Sequence, residues 1–88
     1  MYTVYVLRSE RDGSYYVGQT ADVGERLKRH NRGTERATRG KGPWVIVYME
    51  QYATRAEAMA RELEIKARKK RAYIEKLIVE HRGVAQPG

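Results

Sequence analysis

Apolar and β-branched residues crowd the first strand-length stretch of the chain, YTVYVLR at residues 2–8, and the turn signal ERDG follows directly. YYVGQT at 15–20 then predicts a second strand, so the two stretches form an antiparallel hairpin. Strand periodicity puts Tyr2, Val4 and Val6 on one face, with Thr3, Tyr5 and Leu7 on the other. Tyr15 and Val17 share a face of the second strand, and Tyr16 and Gly18 share the opposite one. Gly18 is expected to leave an open spot beside Tyr16, where a ligand or another backbone approaches.

Helical periodicity takes over at Asp22, which is spaced from Glu25 as in a capping box. DVGERLKRHN then runs to about Asn31 and ends at Gly33, with Val23 and Leu27 as its apolar stripe. Arg26 and His30, four apart, face the same way. NRGTERATRGKGP carries no periodicity and is expected to be an exposed basic loop. WVIVYMEQY is the third strand, apolar enough to predict a central position buried on both faces. Thr54 and Glu57 cap a further helix whose buried stripe is predicted as Ala56, Met59, Ala60, Leu63 and Ala67, with Glu62 at its edge. Tyr73, Ile74, Leu77 and Ile78 mark a last amphipathic segment. One helix over 55–82, at about 1.5 Å per residue, would outreach so small a domain, which predicts a break near Lys69. The order β-β-α-β-α-α predicts an α+β fold, a small, mainly antiparallel three-stranded sheet flanked by helices. Residues 1–82 are expected to form one domain and 83–88 a frayed tail.

Eighty-eight residues without cysteine exclude disulfides, thiolate zinc sites and thiol nucleophiles. The absence of a long apolar run or a signal-peptide pattern predicts a soluble, cytoplasmic protein with no membrane partner. Eighteen Lys and Arg against eleven Asp and Glu give a net charge of +7, and twelve of the eighteen are arginine. Such a balance makes nucleic acid a candidate partner. An ordinary basic protein has the same charge, so charge alone does not decide.

His30 and His81 are far apart, and no ligand spacing suggests zinc. GxSxG, P-loop and GxGxxG patterns are absent. What remains is a set of hydroxylated aromatics on strands, an Arg–His pair on one helix face and a glutamate at a core edge. Phosphodiester hydrolysis can use such groups. The attacking water must lose a proton, and charge on the phosphate and leaving oxygen must be stabilised. One carboxylate suffices to anchor Mg²⁺, which keeps most of its waters.

TVY at 3–5, ten residues, then YVG at 16–18 resembles the signature of the GIY-YIG nuclease family. ERLKRHN resembles its helix motif, and AEAMARELEIK its later glutamate helix. The resemblance spans roughly residues 2–80 and is closest to the small stand-alone bacterial members. Thr3 stands where the family name has Gly, and Val4 where it has Ile. The resemblance implies single-metal hydrolysis of DNA, with Mg²⁺ or Mn²⁺ on Glu62. Tyr5 would position or deprotonate the water, with His30 as an intermediary. Tyr16 would orient the site by hydrogen bonds, and Arg26 would hold the scissile phosphate. Gly18 would leave room for the substrate backbone.

Each residue also has an ordinary reading. Strand tyrosines pack, Arg26 and His30 form a solvated helix face, and Glu62 pairs with Lys66 for about 0.2–0.5 kcal/mol. Five positions in family order favour the functional reading. Arg32, Arg36, Arg39 and Lys41 in the basic loop, and Lys66 at the start of KARKKR, are candidate DNA contacts. Trp44 is expected in the core. The function predicted is a divalent-metal-dependent DNA endonuclease of repair or processing, acting as a monomer or weak homodimer, with RNA as a further possible substrate. A non-catalytic nucleic-acid-binding module is the alternative.

Overall fold

The computed structural model describes residues 1–68 and 70–82, the last two by backbone alone. The predicted break near Lys69 is observed, since one helix ends at Arg68 and the next starts at Arg71; Lys69 itself and the predicted tail at 83–88 lie outside the described residues. Three strands and three helices follow in the expected order: β1 Tyr2–Ser9, β2 Tyr15–Thr20, α1 Val23–Arg32, β3 Trp44–Tyr52, α2 Arg55–Arg68 and α3 Arg71–Arg82. The fold is α+β, with both strand pairings antiparallel.

The strand order is β2-β1-β3. β1 is therefore the central strand, and β3 is an edge. This corrects the expectation that WVIVYMEQY is central and buried on both faces: most of β3 is only partly buried, and Met49 is half exposed. Val4, Tyr5, Val6 and Leu7 of β1 are instead the most deeply buried run in the sheet. An apolar edge strand is what results when one face packs on helices and the outer edge is left unpaired.

The predicted division of β1 is observed. Val4 and Val6, with Val17 and Tyr48, pack on Ala58 and Ile65 of α2 and Leu77 of α3. Tyr5 and Leu7, with Trp44, pack on Val23 and Leu27 of α1. The sheet thus lies between α1 on one face and α2 and α3 on the other.

The predicted stripe of α2 is overturned. Ala58 and Ile65 are its buried residues, whereas Ala56, Ala60 and Ala67 are exposed and Met59 and Leu63 are 45% and 63% exposed. A polar anchor accounts for this rotation. Arg61 donates two hydrogen bonds to the Glu50 carboxylate of β3, at 2.8 and 2.9 Å, and a third to the Tyr73 hydroxyl of α3 at 3.3 Å. The Tyr48 and Tyr52 hydroxyls donate to the same carboxylate. Burial pushes the Glu50 carboxyl up, but the Arg61 fork and the two phenols outweigh it and hold the group below its ordinary value. A bidentate arginine pair of this kind is directional, so Arg61 must face the sheet, and Met59 and Leu63 turn outward.

Candidate active site

Pairing of β1 with β2 sets Tyr5 opposite Gly18. The ring of Tyr5 lies across that glycine: a β-carbon on Gly18 would stand 2.6 Å from the Tyr5 hydroxyl and 3.1 Å from Tyr16 Cε2. The space expected to be open for a ligand is therefore filled by Tyr5 itself. Tyr16, two positions earlier on the same face, brings its ring centroid to 6.4 Å from that of Tyr5.

α1 delivers the third ring. The Asp22 side chain accepts the Glu25 N–H at 3.0 Å to start the helix, and Gly33 ends it in a left-handed conformation, one that glycine adopts without strain. Val23, Leu27 and His30 follow the i, i+4, i+7 stripe that faces the sheet, so His30 is buried rather than part of a solvated helix face. Its Nε2 lies 3.0 Å from the Tyr5 hydroxyl, and its ring is 4.9 Å from that of Tyr16.

The loop after α1 holds this histidine from behind. Thr38 is buried, and its Oγ1 lies 2.7 Å from His30 Nδ1. The Thr38 carbonyl accepts the indole N–H of Trp44 at 3.2 Å. Asn31 grips the Trp44 backbone, accepting its N–H at 2.7 Å and donating to its carbonyl at 3.2 Å. A loop expected to be exposed is thus anchored at the buried Thr38, and Trp44 is in the core as predicted.

Burial pushes the Tyr5 phenol well above its ordinary value, assisted by Tyr16 and opposed by the Arg26 guanidinium. Burial also lowers His30 below 6.5, against the pull of Glu35 and with the push of Arg26. Tyr5 and His30 therefore meet as a neutral phenol and a neutral imidazole near pH 7. Arg26, partly buried one turn before His30, supplies positive charge beside them.

Glu62 belongs to α2, on the other side of the sheet, but β2 is an edge strand and Lys66 of that helix meets its Tyr16. The Glu62 carboxylate accepts from Lys66 at 2.6 Å, and the Lys66 ammonium lies 5.8 Å from the centroid of Tyr16. Tyr5, Tyr16, Arg26 and His30 thus form one cluster, with Glu62 joined to its edge through Lys66. Among the described residues, no three His, Cys, Asp or Glu side chains gather as a metal site.

Two of the other predicted contacts have partners within and beside α1. Arg39 donates to the Gly33 carbonyl at 3.0 Å, closing the end of α1, and Arg32 pairs with Glu25 at 3.5 Å. Arg36 and Lys41 are exposed. Sequence reasoning missed Thr38, whose only signal is a hydroxyl in an aperiodic loop. It also missed that Gly18 serves Tyr5 rather than a ligand.

The sequence profile of the GIY-YIG catalytic domain matches residues 1–76. The chain belongs to the GIY-YIG family, a nuclease family. UPF0213 proteins of Staphylococcus aureus strains Mu3 and N315 are each 44% identical to it over 64 residues, 72% of this chain and 77% of theirs. The solution NMR structure of a UPF0213 protein from Bacillus halodurans resembles this GIY-YIG chain with a TM-score of 0.59 and 37% identity, over 96% of this chain and 89% of that one. These UPF0213 relatives are small stand-alone bacterial proteins. No helix among the described residues of this GIY-YIG domain is long and apolar enough to cross a membrane.

Proposed function

We propose that the protein is a divalent-metal-dependent nuclease that hydrolyses DNA phosphodiester bonds internally, with residues 1–82 as the catalytic unit. The observation that carries this reading is the Tyr5–His30 hydrogen bond at 3.0 Å, beside Tyr16 and Arg26.

The Thr38 hydroxyl can donate to the Glu35 carbonyl, 3.4 Å away. With its proton so directed, Thr38 Oγ1 accepts from His30 Nδ1–H, and Nε2 is left with a lone pair facing the Tyr5 hydroxyl. Tyr5 then passes its proton to Nε2 as it takes one from the attacking water. A neutral phenol is a poor base alone, and the relay removes the need for a free phenolate. Arg26 holds the nonbridging phosphate oxygens, where a guanidinium fork suits both their geometry and their charge. Tyr16 orients the water or phosphate through its hydroxyl.

Glu62 would hold the metal. It already binds a cation, the Lys66 ammonium at 2.6 Å, and keeps part of its surface open to solvent, so it suits a cationic partner. A lone carboxylate fits Mg²⁺ or Mn²⁺, whose remaining ligands are water and phosphate oxygens, and does not fit zinc. Bound there, the ion would supply positive charge to the reacting phosphate and the leaving oxygen. Lys66 would then be free to meet a neighbouring phosphate.

The test is cleavage of labelled duplex, flap, branched and single-stranded DNA at low salt with Mg²⁺, Mn²⁺ or EDTA. Metal-dependent cutting should fall by roughly 10²-fold or more in Tyr5→Phe, the scale of a lost acid–base group, and disappear in Glu62→Gln. Salt-sensitive binding with no cutting in any metal would replace the nuclease with a binding module.

A further inference from the structure

An open groove of about 400 Å³ lies along β2 where α2 gives way to α3. Tyr16 and Lys66, which belong to the candidate active site, line it together, the ammonium 5.8 Å from the ring centroid. Val17, Ile65 and Ile74 give it an apolar lining, and Lys70 and Arg71 also line it. No acidic residue lines it.

Two features of the walls are unusual for a surface with no ligand. The first turn of α3 contains no carboxylate, and Lys70 and Arg71 sit there instead, at the helix end where the dipole favours negative charge. Arg71 is held in place by Glu75 at 3.0 Å, by the Gly13 carbonyl at 2.8 Å and by the Tyr15 ring at 4.7 Å. Lys70 has no side-chain partner among the described residues. Ser14, also in the wall, buries its Oγ with no hydrogen-bond partner.

From this geometry we infer a second binding site, for a single nucleotide swung out of the stack next to the cleaved phosphate. The inference rests on the nuclease reading and adds a nucleotide subsite to it. The base lies against Ile74 and the edges of the nearly buried Val17 and Ile65, with Ser14 Oγ, buried in the wall, turning outward to meet a polar base edge. Its phosphate lies at the start of α3, on Lys70 and Arg71. A phosphate alone would leave the apolar lining unused, and an apolar ligand would leave Lys70 unmatched. A nucleotide carries both parts in one unit, and Tyr16 and Lys66 connect its groove directly to the catalytic cluster.

The experiment is an ¹⁵N-amide titration of the wild-type chain and of Glu62→Gln with thymidine 5′-monophosphate, set against inorganic phosphate and thymidine. The nucleotide is expected to shift the amides of residues 14–17, 65 and 70–74 in both proteins. Lys70→Glu should weaken it by roughly tenfold, the effect of one charged contact, and Ser14→Ala by less. The same spectra report whether each variant is folded, and Lys70→Gln replaces Lys70→Glu if it is not. Equal shifts with inorganic phosphate would leave only an anion site at the helix start and overturn the nucleotide subsite. Shifts confined to Tyr5, Arg26 and His30, or no shifts, would also overturn it. DNA cleavage without these shifts would leave the nuclease standing and the subsite refuted; the shifts without cleavage in any metal would do the reverse.

Discussion

Tyr5 and Gly18 are cross-strand partners, and the Tyr5 hydroxyl lies only 2.6 Å from where a β-carbon on Gly18 would stand. The glycine of the second tripeptide is thus a requirement of the first tripeptide's tyrosine. Only a residue with no side chain lets that phenol lean across β2 to reach His30, twenty-five positions away.

Gly18→Ala should therefore act through Tyr5. The clash is with a ring packed against α1, so relief requires moving the hydroxyl off His30. Stability should drop by about 1–3 kcal/mol, as for overpacking, and cleavage should fall to the level of Tyr5→Phe. Urea unfolding and the cleavage assay check both. A variant as stable and as active as wild type would show that Tyr5 does not need its observed position.

Thr38 offers a test of the proton relay that is separate from packing. Thr38→Ser keeps the hydroxyl at His30 Nδ1, whereas Thr38→Val keeps the shape and leaves Nδ1 unpaired, at about 1–3 kcal/mol. The serine variant should retain cleavage and the valine variant should lose it. The ¹⁵N shifts of the His30 ring should show the Nδ1–H tautomer in wild type and serine only. Full activity in Thr38→Val would remove the relay.

The acid side of the stability profile should carry the signature of His30. Its folded-state pKa lies below 6.5 because burial disfavours the imidazolium, with Arg26 and Arg29 adding to the effect and Glu35 opposing it. The unfolded chain therefore binds a proton first as pH falls. The stabilising contribution is complete above 6.5 and is lost as pH drops from there through the folded pKa. Urea midpoints from pH 8 to 5 should fall in wild type and flatten over this interval in His30→Gln. An identical slope in both would mean that His30 titrates as a free histidine.

Arg61 and Glu50 should behave in the opposite way to the site residues. Arg61→Met removes one partner of a largely buried pair and leaves the Glu50 carboxylate with only its two phenols. The expected loss is about 2–3 kcal/mol, below the value for a fully buried pair because both side chains keep some solvent. Because the folded Glu50 pKa is lowered, the contribution is present above its ordinary value of 4.5 and is lost as pH falls through the folded pKa. Per folded molecule, cleavage should be unchanged. A loss of activity without loss of stability would move this network into the catalytic machinery.

Much of this protein is written in local signals. The two capping boxes mark the starts of α1 and α2, with Glu25 N–H on Asp22 and Glu57 N–H on Thr54. Gly33 marks an end, and the alternation of β1 divides Val4 and Val6 from Tyr5 and Leu7. Each depends on residues within a turn or two of one another, so the chain alone determines them. The candidate residues Tyr5, Tyr16, Arg26, His30 and Glu62 were legible for a different reason: their types and order match a family pattern.

What only the tertiary structure decided involves partners far apart in the chain. β1 became central because β2 and β3 both pair with it, and the apolar content of β3 carries no information about which edges pair. α2 turned Met59 and Leu63 outward because the Arg61 fork had to meet Glu50, eleven positions earlier. An apolar stripe can pack at several rotations, whereas a two-pronged hydrogen bond is made at one. Thr38 reached His30, and Gly18 came under Tyr5, only once strand pairing and the docking of α1 had set their distances. Sequence determined which groups are present and which local elements carry them; strand pairing and the buried polar contacts decided which of them meet.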